Sequence, residues 1–418
     1  MRHPRLVLTL ALIGLSGAGS SLVAHAASRR SSSVLVAFVR QDNVWVARAD
    51  GGAARRLTGD GTGTRIVNGR QVTYAYLAWS PTQTRLLVAR FESNSSPGSP
   101  YRQGWSVETW TSGSSKFLRL VTNVNSQDFV PQWSSDGRKI SYMSSSRYDD
   151  KSTMFKNTVK AADLSGRIAG LTRFKAREGC LDASTDPSEL TFWNLVGPGG
   201  IRQTFIWSSA GRFVVYSTEC IHTGLTYRSL AGGPERLVGR WMIEAVLSPN
   251  GGRLIGVDRR GLVLSNVDGS ARRLFSGTAA ARLPVWSPDG RFVYYMARRT
   301  LQTLHYHDRA GNLFEIQVNR SSIDRLDLVS GRVQAILTLP VHAFANLAVS
   351  ADGRWLYFTE ISNSDQLYRH LVGAPKVTNA MLTQYGPTTN TLRISTGGGR
   401  SQVVARDAGQ IAVSNTGG

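Results

Sequence analysis

The sequence predicts an all-β fold in which four-stranded sheets repeat around a closed ring. A turn motif of the type Trp-Ser-Pro-Asp-Gly, followed by an alternating apolar strand, occurs six times. Copies that no insertion separates are 39 or 40 residues apart. In addition, fragments of one further unit stand at the two ends of the repeat region. Four antiparallel strands in about 40 residues are typical of one blade of a β-propeller.

The clearest copy of the motif covers residues 286–291. Trp286 ends a short strand, Pro288 presets φ for a turn, and Gly290 accepts a positive φ without strain. Asp289 can accept hydrogen bonds from the backbone, which makes it a turn residue rather than a catalytic carboxylate. The other copies begin at Trp79, Trp133, Trp207, Leu247 and Val349. The strand that ends at the motif is called strand A. After the motif come strand B, strand C, a turn that usually contains Gly, and strand D.

The two ends of the repeat region complement each other. The first unit starts at about residue 34 with strand B and has no strand A. The C-terminal residues 410–417 repeat the pattern of residues 348–353, which is a strand A and its turn. We therefore expect the C-terminal strand to complete the first blade and so remove the open sheet edges. This gives seven blades; a six-bladed ring with one irregular copy is the alternative.

The motif at 286–290 and the later Gly-Gly and Arg-Leu-Thr residues within 51–58 resemble the TolB-like propeller repeat, a relative of the WD40 repeat. The resemblance spans roughly residues 34–417. It implies an interaction scaffold outside the cytoplasm. TolB carries a small α/β domain ahead of its propeller, and this sequence shows no counterpart to it, so we expect a single propeller domain over residues 34–418.

Residues 1–26 have the three parts of a secretory signal peptide. A basic start precedes an apolar run over 6–15 and a small-x-small cleavage site at 24–26. The apolar run is too short for a membrane span, which needs about 20 residues. We expect residues 27–33 to be a short linker and the protein to be periplasmic, secreted or associated with the cell surface.

The chain is strongly basic, with 49 Lys and Arg against 28 Asp and Glu and a formal charge of +21. This balance favours acidic partners such as envelope polymers, lipid headgroups, acidic sugars or acidic proteins. The arginines are scattered, and compositional bias is an alternative explanation for them. Because the sequence has no nucleic-acid recognition motif, we expect no specific nucleic-acid partner.

The insertions between repeats all fall in one class of connection. The A–B and C–D turns, which lie on one face of a propeller, are short; we call this the plain face. The B–C and D–A connections form the opposite, elaborated face. The long ones cover residues 92–104, 144–154, 299–321 and 361–389 (B–C) and residues 59–71 and 173–202 (D–A). Rigid scaffolds that present variable loops use them for binding, so we expect the elaborated face to bind the partner.

Aromatic and basic residues alternate in these insertions, and two acidic residues, Asp149 and Asp150, follow Tyr148. Such a rim can stack on sugar rings or peptide aromatics while Arg binds carboxylates. Packing of the aromatic rings onto the propeller is the alternative. The candidate ligand-binding residues are Tyr101, Arg102, Trp105, Tyr148, Asp149, Arg177, Trp193, Tyr306, Arg309 and Tyr385.

Chemical motifs are scarce. The sequence lacks the common hydrolase, metalloprotease, nucleotide-binding and calcium-loop patterns, so no cofactor and no catalytic residue is expected. His305, His307 and Asp308 are weak candidates for metal ligands, and a solvated turn is the alternative. Cys180 and Cys220 both map to the elaborated face of the fourth blade, and we expect a disulfide between them, with two free thiols as the alternative.

Two functions are compatible with this sequence. The first is a non-catalytic exported scaffold that binds a protein or an envelope polymer through the elaborated face. The alternative is a hydrolase or lyase that acts on acidic carbohydrate at the mouth of the axial channel. An enzyme needs clustered carboxylates, or His with a metal, at that mouth, whereas a scaffold needs a broad binding rim. The oligomeric state is left open by the sequence.

Overall fold

The computed structural model describes most of the chain from residue 34 onward. The described residues are 34–63, 66–94, 102–124, 131–134, 136–147, 154–177, 205–208, 212–217, 225–239, 242–258, 260–307, 313–339, 343–362 and 388–414. Across these ranges the regular elements are all β-strands. Among them there is no helix that could cross a membrane.

Twenty-eight strands follow one another along the described chain. The first eleven are β1 (Leu35–Arg40), β2 (Asn43–Arg48), β3 (Arg55–Arg56), β4 (Arg70–Trp79), β5 (Arg85–Asn94), β6 (Arg102–Thr111), β7 (Phe117–Val124), β8 (Gln132–Trp133), β9 (Lys139–Arg147), β10 (Met154–Asp163) and β11 (Ile168–Arg177). The next eight are β12 (Phe205–Trp207), β13 (Phe213–Ser217), β14 (Leu225–Ser229), β15 (Arg236–Gly239), β16 (Ile243–Leu247), β17 (Arg253–Asp258), β18 (Gly261–Asn266) and β19 (Arg273–Leu274). The last nine are β20 (Ala281–Trp286), β21 (Phe292–His307), β22 (Leu313–Asp327), β23 (Val333–Leu339), β24 (Ala343–Val349), β25 (Trp355–Ser362), β26 (Thr388–Ser395), β27 (Gln402–Ala405) and β28 (Ala408–Val413).

These strands form seven four-stranded antiparallel sheets, which confirms the predicted seven-bladed propeller. Blade 1 has the order β28-β1-β2-β3, and blades 2 to 7 each use four consecutive strands. The central strands are apolar on both faces because each blade packs between two neighbours. In blade 5, for example, five of the six residues of both β17 and β18 are buried.

The ring closes as the sequence predicts, through pairing of β28 with β1. Ser414 accepts a hydrogen bond from the Leu35 backbone at its Oγ (2.7 Å) and donates its own N–H to the Leu35 carbonyl (2.8 Å). The A–B turn of blade 6 has the same pair of bonds between Ser287 and Phe292, at 2.8 and 2.9 Å. The two ends of the chain therefore reproduce a repeat turn without a covalent connection.

The A strands form the inner ring, where those of consecutive blades lie side by side. The motif tryptophans bind each blade to the preceding one. Trp79, Trp133 and Trp286 each donate their indole N–H to a backbone carbonyl on the A strand of that blade, at 3.3, 3.0 and 3.2 Å. Apolar clusters fill the spaces between blades, which is how four-stranded sheets bury both faces.

The aspartates of the motif are turn residues, as predicted. Asp289 Oδ1 accepts the Ser287 hydroxyl at 2.5 Å and the Arg291 backbone N–H at 3.1 Å, while Gly290 has φ of 69°. The hydrogen bond from Ser287, followed by that from Arg291, holds the pKa of Asp289 below its usual range. The same geometry recurs at Asp136 and Asp352.

Candidate binding face

The elaborated face is built from lengthened hairpins. In blade 6, β21 and β22 have 16 and 15 residues, whereas the equivalent strands of blade 5 have six each. Their pairing continues to His307 opposite Leu313. The prediction of a loop over 299–321 is therefore wrong for most of that range. Residues 300–307 and 313–320 alternate apolar and polar side chains and contain β-branched and aromatic residues, which favours a strand pair.

Blades 2 and 3 extend in the same direction. The β5–β6 pairing reaches Asn94 opposite Arg102, and the β9–β10 pairing reaches Arg147 opposite Phe155. The insertions predicted at 92–104 and 144–154 are thus partly continuous sheet. The elaborated face consequently presents hydrogen-bonded hairpins, which hold their geometry better than free loops.

Trp105 is the one predicted ligand-binding residue whose side chain the structure describes. It is half-buried, and its ring lies 5.3 Å from that of Phe91 and 5.9 Å from that of Tyr76. It therefore packs against strands A and B of its own blade, in the way the alternative interpretation of the aromatic residues expects.

The other candidates are placed only in part. Arg102 begins β6, Arg177 ends β11 and Tyr306 lies in β21, and for these three the backbone alone is described. The remaining candidates lie outside the described residues: Tyr101, Tyr148, Asp149, Trp193, Arg309 and Tyr385.

The histidine pair lies in a strand rather than a turn. His305 and His307 occupy alternate positions of β21, and the register places Glu315 opposite His305. Asp308 lies outside the described residues, as do Cys180 and Cys220 of the predicted disulfide. Among the described residues, no group of three His, Cys, Asp or Glu has the geometry of a metal site.

An ion network around a buried arginine, which sequence reasoning missed, runs through blade 2 from its elaborated end. Arg90 is 2% exposed and binds Glu92 through Nη1 and Asp60 through Nη2, the latter at 2.9 Å. Its Nε is 4.0 Å from Glu108, which is also buried. Tyr74 donates its hydroxyl to Asp60 at 2.5 Å. The network thus joins strands A, B and C of blade 2 to the D–A connection that precedes it.

Two further arginines balance the charge of this network. Arg70 binds Glu92 at 2.5 Å, and Arg119 binds Glu108 at 2.8 Å. Burial opposes the ionisation of Asp60, but the hydrogen bonds from Tyr74 and Arg90 outweigh it and keep the pKa of Asp60 low. Three arginines and three carboxylates neutralise each other, so the network fixes the base of a hairpin and leaves little charge for a ligand.

The inner strands carry a repeated β-bulge three residues before the motif position. Tyr76, Glu244, Leu283 and Asn346 have φ between 50° and 53°, and the strand register shifts at each of them. Bulges redirect side chains and are common beside functional sites. Glu244 is the only carboxylate among the described A-strand residues, and its Oε2 accepts the Leu283 backbone N–H at 2.6 Å.

A buried carboxyl group with an unmatched oxygen lies between blades 5 and 6. Asp324 Oδ1 and the hydroxyl of Tyr295 are buried, and within the described residues neither makes a hydrogen bond. Register places the two residues opposite each other in β22 and β21. Desolvation raises the pKa of Asp324 and outweighs the opposing effects of Ser322, Arg299 and the Tyr295 hydroxyl, which is close by without hydrogen-bond geometry.

Replacing Asp324 with Asn is expected to stabilise the protein at neutral pH. A raised native pKa means that Asp324 favours folding below its unfolded pKa of about 3.9 and opposes folding as pH rises through the native value. The gain from Asp324→Asn should be on the order of 1 kcal/mol at pH 7 and vanish near pH 3. Urea unfolding at both pH values measures it, with Asp136→Asn, an exposed turn residue, as the matched control. A gain that does not depend on pH would contradict this assignment.

The chain is similar to several solved structures. A putative TolB from Agrobacterium tumefaciens is 14% identical, with a TM-score of 0.40, and the match covers 74% of this chain and 89% of that one. A prolyl endopeptidase is 11% identical, with a TM-score of 0.52 and coverage of 92% and 51%. An oligogalacturonate lyase in complex with manganese is 12% identical, with a TM-score of 0.49 and coverage of 90% and 86%.

The likeness to the prolyl endopeptidase concerns the fold alone, because its identity of 11% is far below the level at which function carries over. This chain spans about half the length of the prolyl endopeptidase. Neither the protein-family models nor the curated proteins include a match to the sequence.

Proposed function

We propose that this protein is an exported, non-catalytic propeller scaffold that binds a protein or an envelope polymer through its elaborated face. The observation that carries the proposal is the one-sided lengthening of the hairpins. The C–D turns stay short in all seven blades and the A–B turns in the six blades that have one, whereas B–C hairpins extend in blades 2, 3 and 6. Extended strands on a rigid ring form a surface whose shape is set before binding, which lowers the entropy cost of association.

The location follows from the signal-like residues 1–26. An exported scaffold of this kind meets envelope polymers and proteins, and the basic composition favours acidic members of both classes.

The enzyme hypothesis receives less support from the described residues. Hydrolysis or elimination on an acidic sugar needs an acid and a base at the channel mouth. Glu244 is the sole described carboxylate of the inner strands, and its Oε2 already accepts a backbone hydrogen bond. The scaffold hypothesis therefore explains more of the described face.

Shortening the blade 6 hairpin is expected to abolish partner capture. Replacing residues 301–318 with Asn-Gly keeps Thr300 opposite Asn319 and closes the strands with a two-residue turn. Capture of cross-linked partners from a detergent-solubilised envelope fraction, in which no lipid surface remains, should fall by about tenfold or more, because hot spots concentrate in a few residues. Thermal unfolding should stay within a few degrees of that of the unaltered protein.

A matched control alters the opposite face. The triple variant Arg138→Gln, Arg253→Gln and Arg400→Gln changes exposed turn residues of the plain face. It should leave capture intact. Equal capture by the shortened and unaltered proteins, or equal loss in both variants, would refute the assignment of binding to the elaborated face.

A further inference from the structure

The plain face collects the basic residues that are scattered in the sequence. Its hairpin ends comprise the six A–B turns of six residues each and the seven C–D turns with three residues of each adjoining strand. These 116 of the 418 residues hold 21 Lys and Arg against eight Asp and Glu, a net charge of +13. The rest of the chain holds 28 basic and 20 acidic residues, a net charge of +8. The plain face is therefore the basic side of the molecule.

The positive charge is distributed evenly around the ring, with three basic residues in every blade. Seventeen of the 21 are exposed, and the other four are half-buried. In order of the blades, the residues are Arg48, Arg55 and Arg56; Arg85, Lys116 and Arg119; Arg138, Lys139 and Arg167; Arg212, Arg228 and Arg236; Arg253, Arg272 and Arg273; Arg291, Arg325 and Arg332; and Arg354, Arg393 and Arg400.

Two ion pairs between described residues join this set to acidic residues outside it. Arg272 reaches back to Asp258 at 3.0 Å, and Arg119 binds Glu108 at 2.8 Å. Subtracting these two from +13 leaves +11. The aspartates within the set bind the turns themselves, as Asp163 does when it accepts the Arg167 backbone N–H. Hydrogen bonds from Ser165 and then Arg167 hold the pKa of Asp163 low, so the carboxylate is saturated by its own turn.

Several arginines are fixed in place rather than mobile. Arg393 lies over the Trp355 ring at 4.4 Å, and Arg325 lies over the Phe292 ring at 4.8 Å. Stacking on aromatic rings orients the guanidinium group and lowers the entropy lost on binding an anion. These residues belong to β26 and β22, at equivalent positions near the plain face.

We propose that the plain face docks on an anionic lipid surface. All its turns are short, so the arginines of the seven blades lie near one plane and within about one Debye length of a flat surface placed against it. A planar array of negative headgroups engages every blade at once, whereas a single polymer chain reaches only a few of them. Val329, at the tip of the blade 6 turn, is 79% exposed and adds an apolar contact at the same level.

This inference is independent of the partner assigned to the elaborated face. Docking through the plain face would turn the lengthened hairpins away from the lipid and present them to a partner. The two faces can therefore be tested separately.

Vesicle binding tests the proposal directly. The chain from residue 27 onward, which contains the whole propeller, is sedimented with vesicles of phosphatidylglycerol and phosphatidylcholine, or of phosphatidylcholine alone. We expect binding to the anionic vesicles only, and a steep decrease with added salt. The triple variant Arg138→Gln, Arg253→Gln and Arg400→Gln should bind about tenfold to a hundredfold more weakly, because each basic residue adds to the attraction.

The control variant removes the same charge from the elaborated face. Arg299, Arg320 and Arg406 are exposed there, and their replacement with Gln should change binding less than about twofold. Thermal unfolding of both variants confirms that each is folded. Equal losses in the two triple variants, equal binding to neutral vesicles, or binding to soluble dextran sulfate without binding to vesicles would each overturn the proposal.

Discussion

A chain that ends at Ala405 is expected to lose the cooperative fold of the whole propeller. Removing β28 leaves β1 as an unpaired edge from Val36 to Arg40. It also removes the Ser414 hydroxyl that accepts the Leu35 N–H, and the Ala412 carbonyl that accepts the Trp79 indole. In blade 7, Thr391 loses the Ala408 carbonyl that accepts its hydroxyl at 3.2 Å. The loss thus reaches both neighbours of blade 1 and opens the ring.

The energetic scale makes this effect the largest we expect. Each buried aliphatic side chain contributes about 1.5–3 kcal/mol, and each backbone hydrogen bond about 1 kcal/mol. The five paired residues of β28 with their inter-blade contacts therefore match a typical total stability of about 5–15 kcal/mol. Circular dichroism melting should show a broad transition or none.

Two measurements make the test of closure specific. A chain that ends at Ser414 keeps every described contact of β28 and should melt like the full chain. A synthetic peptide of residues 406–418, added to the truncated chain, should restore a cooperative transition because the missing strand is supplied without a covalent bond. A truncated chain that melts cooperatively without the peptide would show that the fold does not need β28 to close the ring.

The ring itself could be predicted because its signal is local and repeated. Pro288, Asp289 and Gly290 specify a turn within five residues, and the same pattern at other positions fixes the period. The blade 6 hairpin was predicted wrongly for a related reason. The repeat length sets an expected strand length, so residues 300–307 were assigned to a loop although their apolar alternation favours a strand.

The ion network and the basic face could not be predicted, because each depends on three-dimensional proximity. Arg90 and Asp60 are 30 residues apart, and only the path of the D–A connection brings them together. Gly61 packs that connection so tightly that a Cβ there would lie 1.8 Å from the Asp42 carbonyl oxygen. The arginines of the plain face likewise form no block in sequence, and only the blade topology gathers three of them at each repeat.

Replacing Arg90 with Met is expected to destabilise the protein by about 2–3 kcal/mol, because Asp60 and Glu92 lose their hydrogen bonds to a buried guanidinium group and the buried Glu108 loses a nearby positive charge. Among the described residues, Arg70 would then be the one arginine still paired with Asp60 and Glu92, and its side chain is 45% exposed. Arg70→Met is the matched control and should cost no more than about 1 kcal/mol, as exposed ion pairs contribute little. Urea unfolding of both variants measures the difference.

The pH dependence separates lost charge pairing from lost packing of the Arg90 side chain. The pKa values of Asp60 and Glu92 are low in the native state, since hydrogen bonds outweigh burial: from Tyr74 and Arg90 at Asp60, and from Arg70 and Arg90 at Glu92. Their contribution to the free energy of unfolding is therefore present above the unfolded pKa values of about 4, and it is lost as pH falls through the native pKa values. The stability gap between the native protein and Arg90→Met should narrow between pH 7 and pH 3. A gap of equal size at both pH values would assign the loss to packing, whereas recovery of stability in the triple variant Arg90→Met, Asp60→Asn and Glu92→Gln would confirm that unpaired charge is the cause.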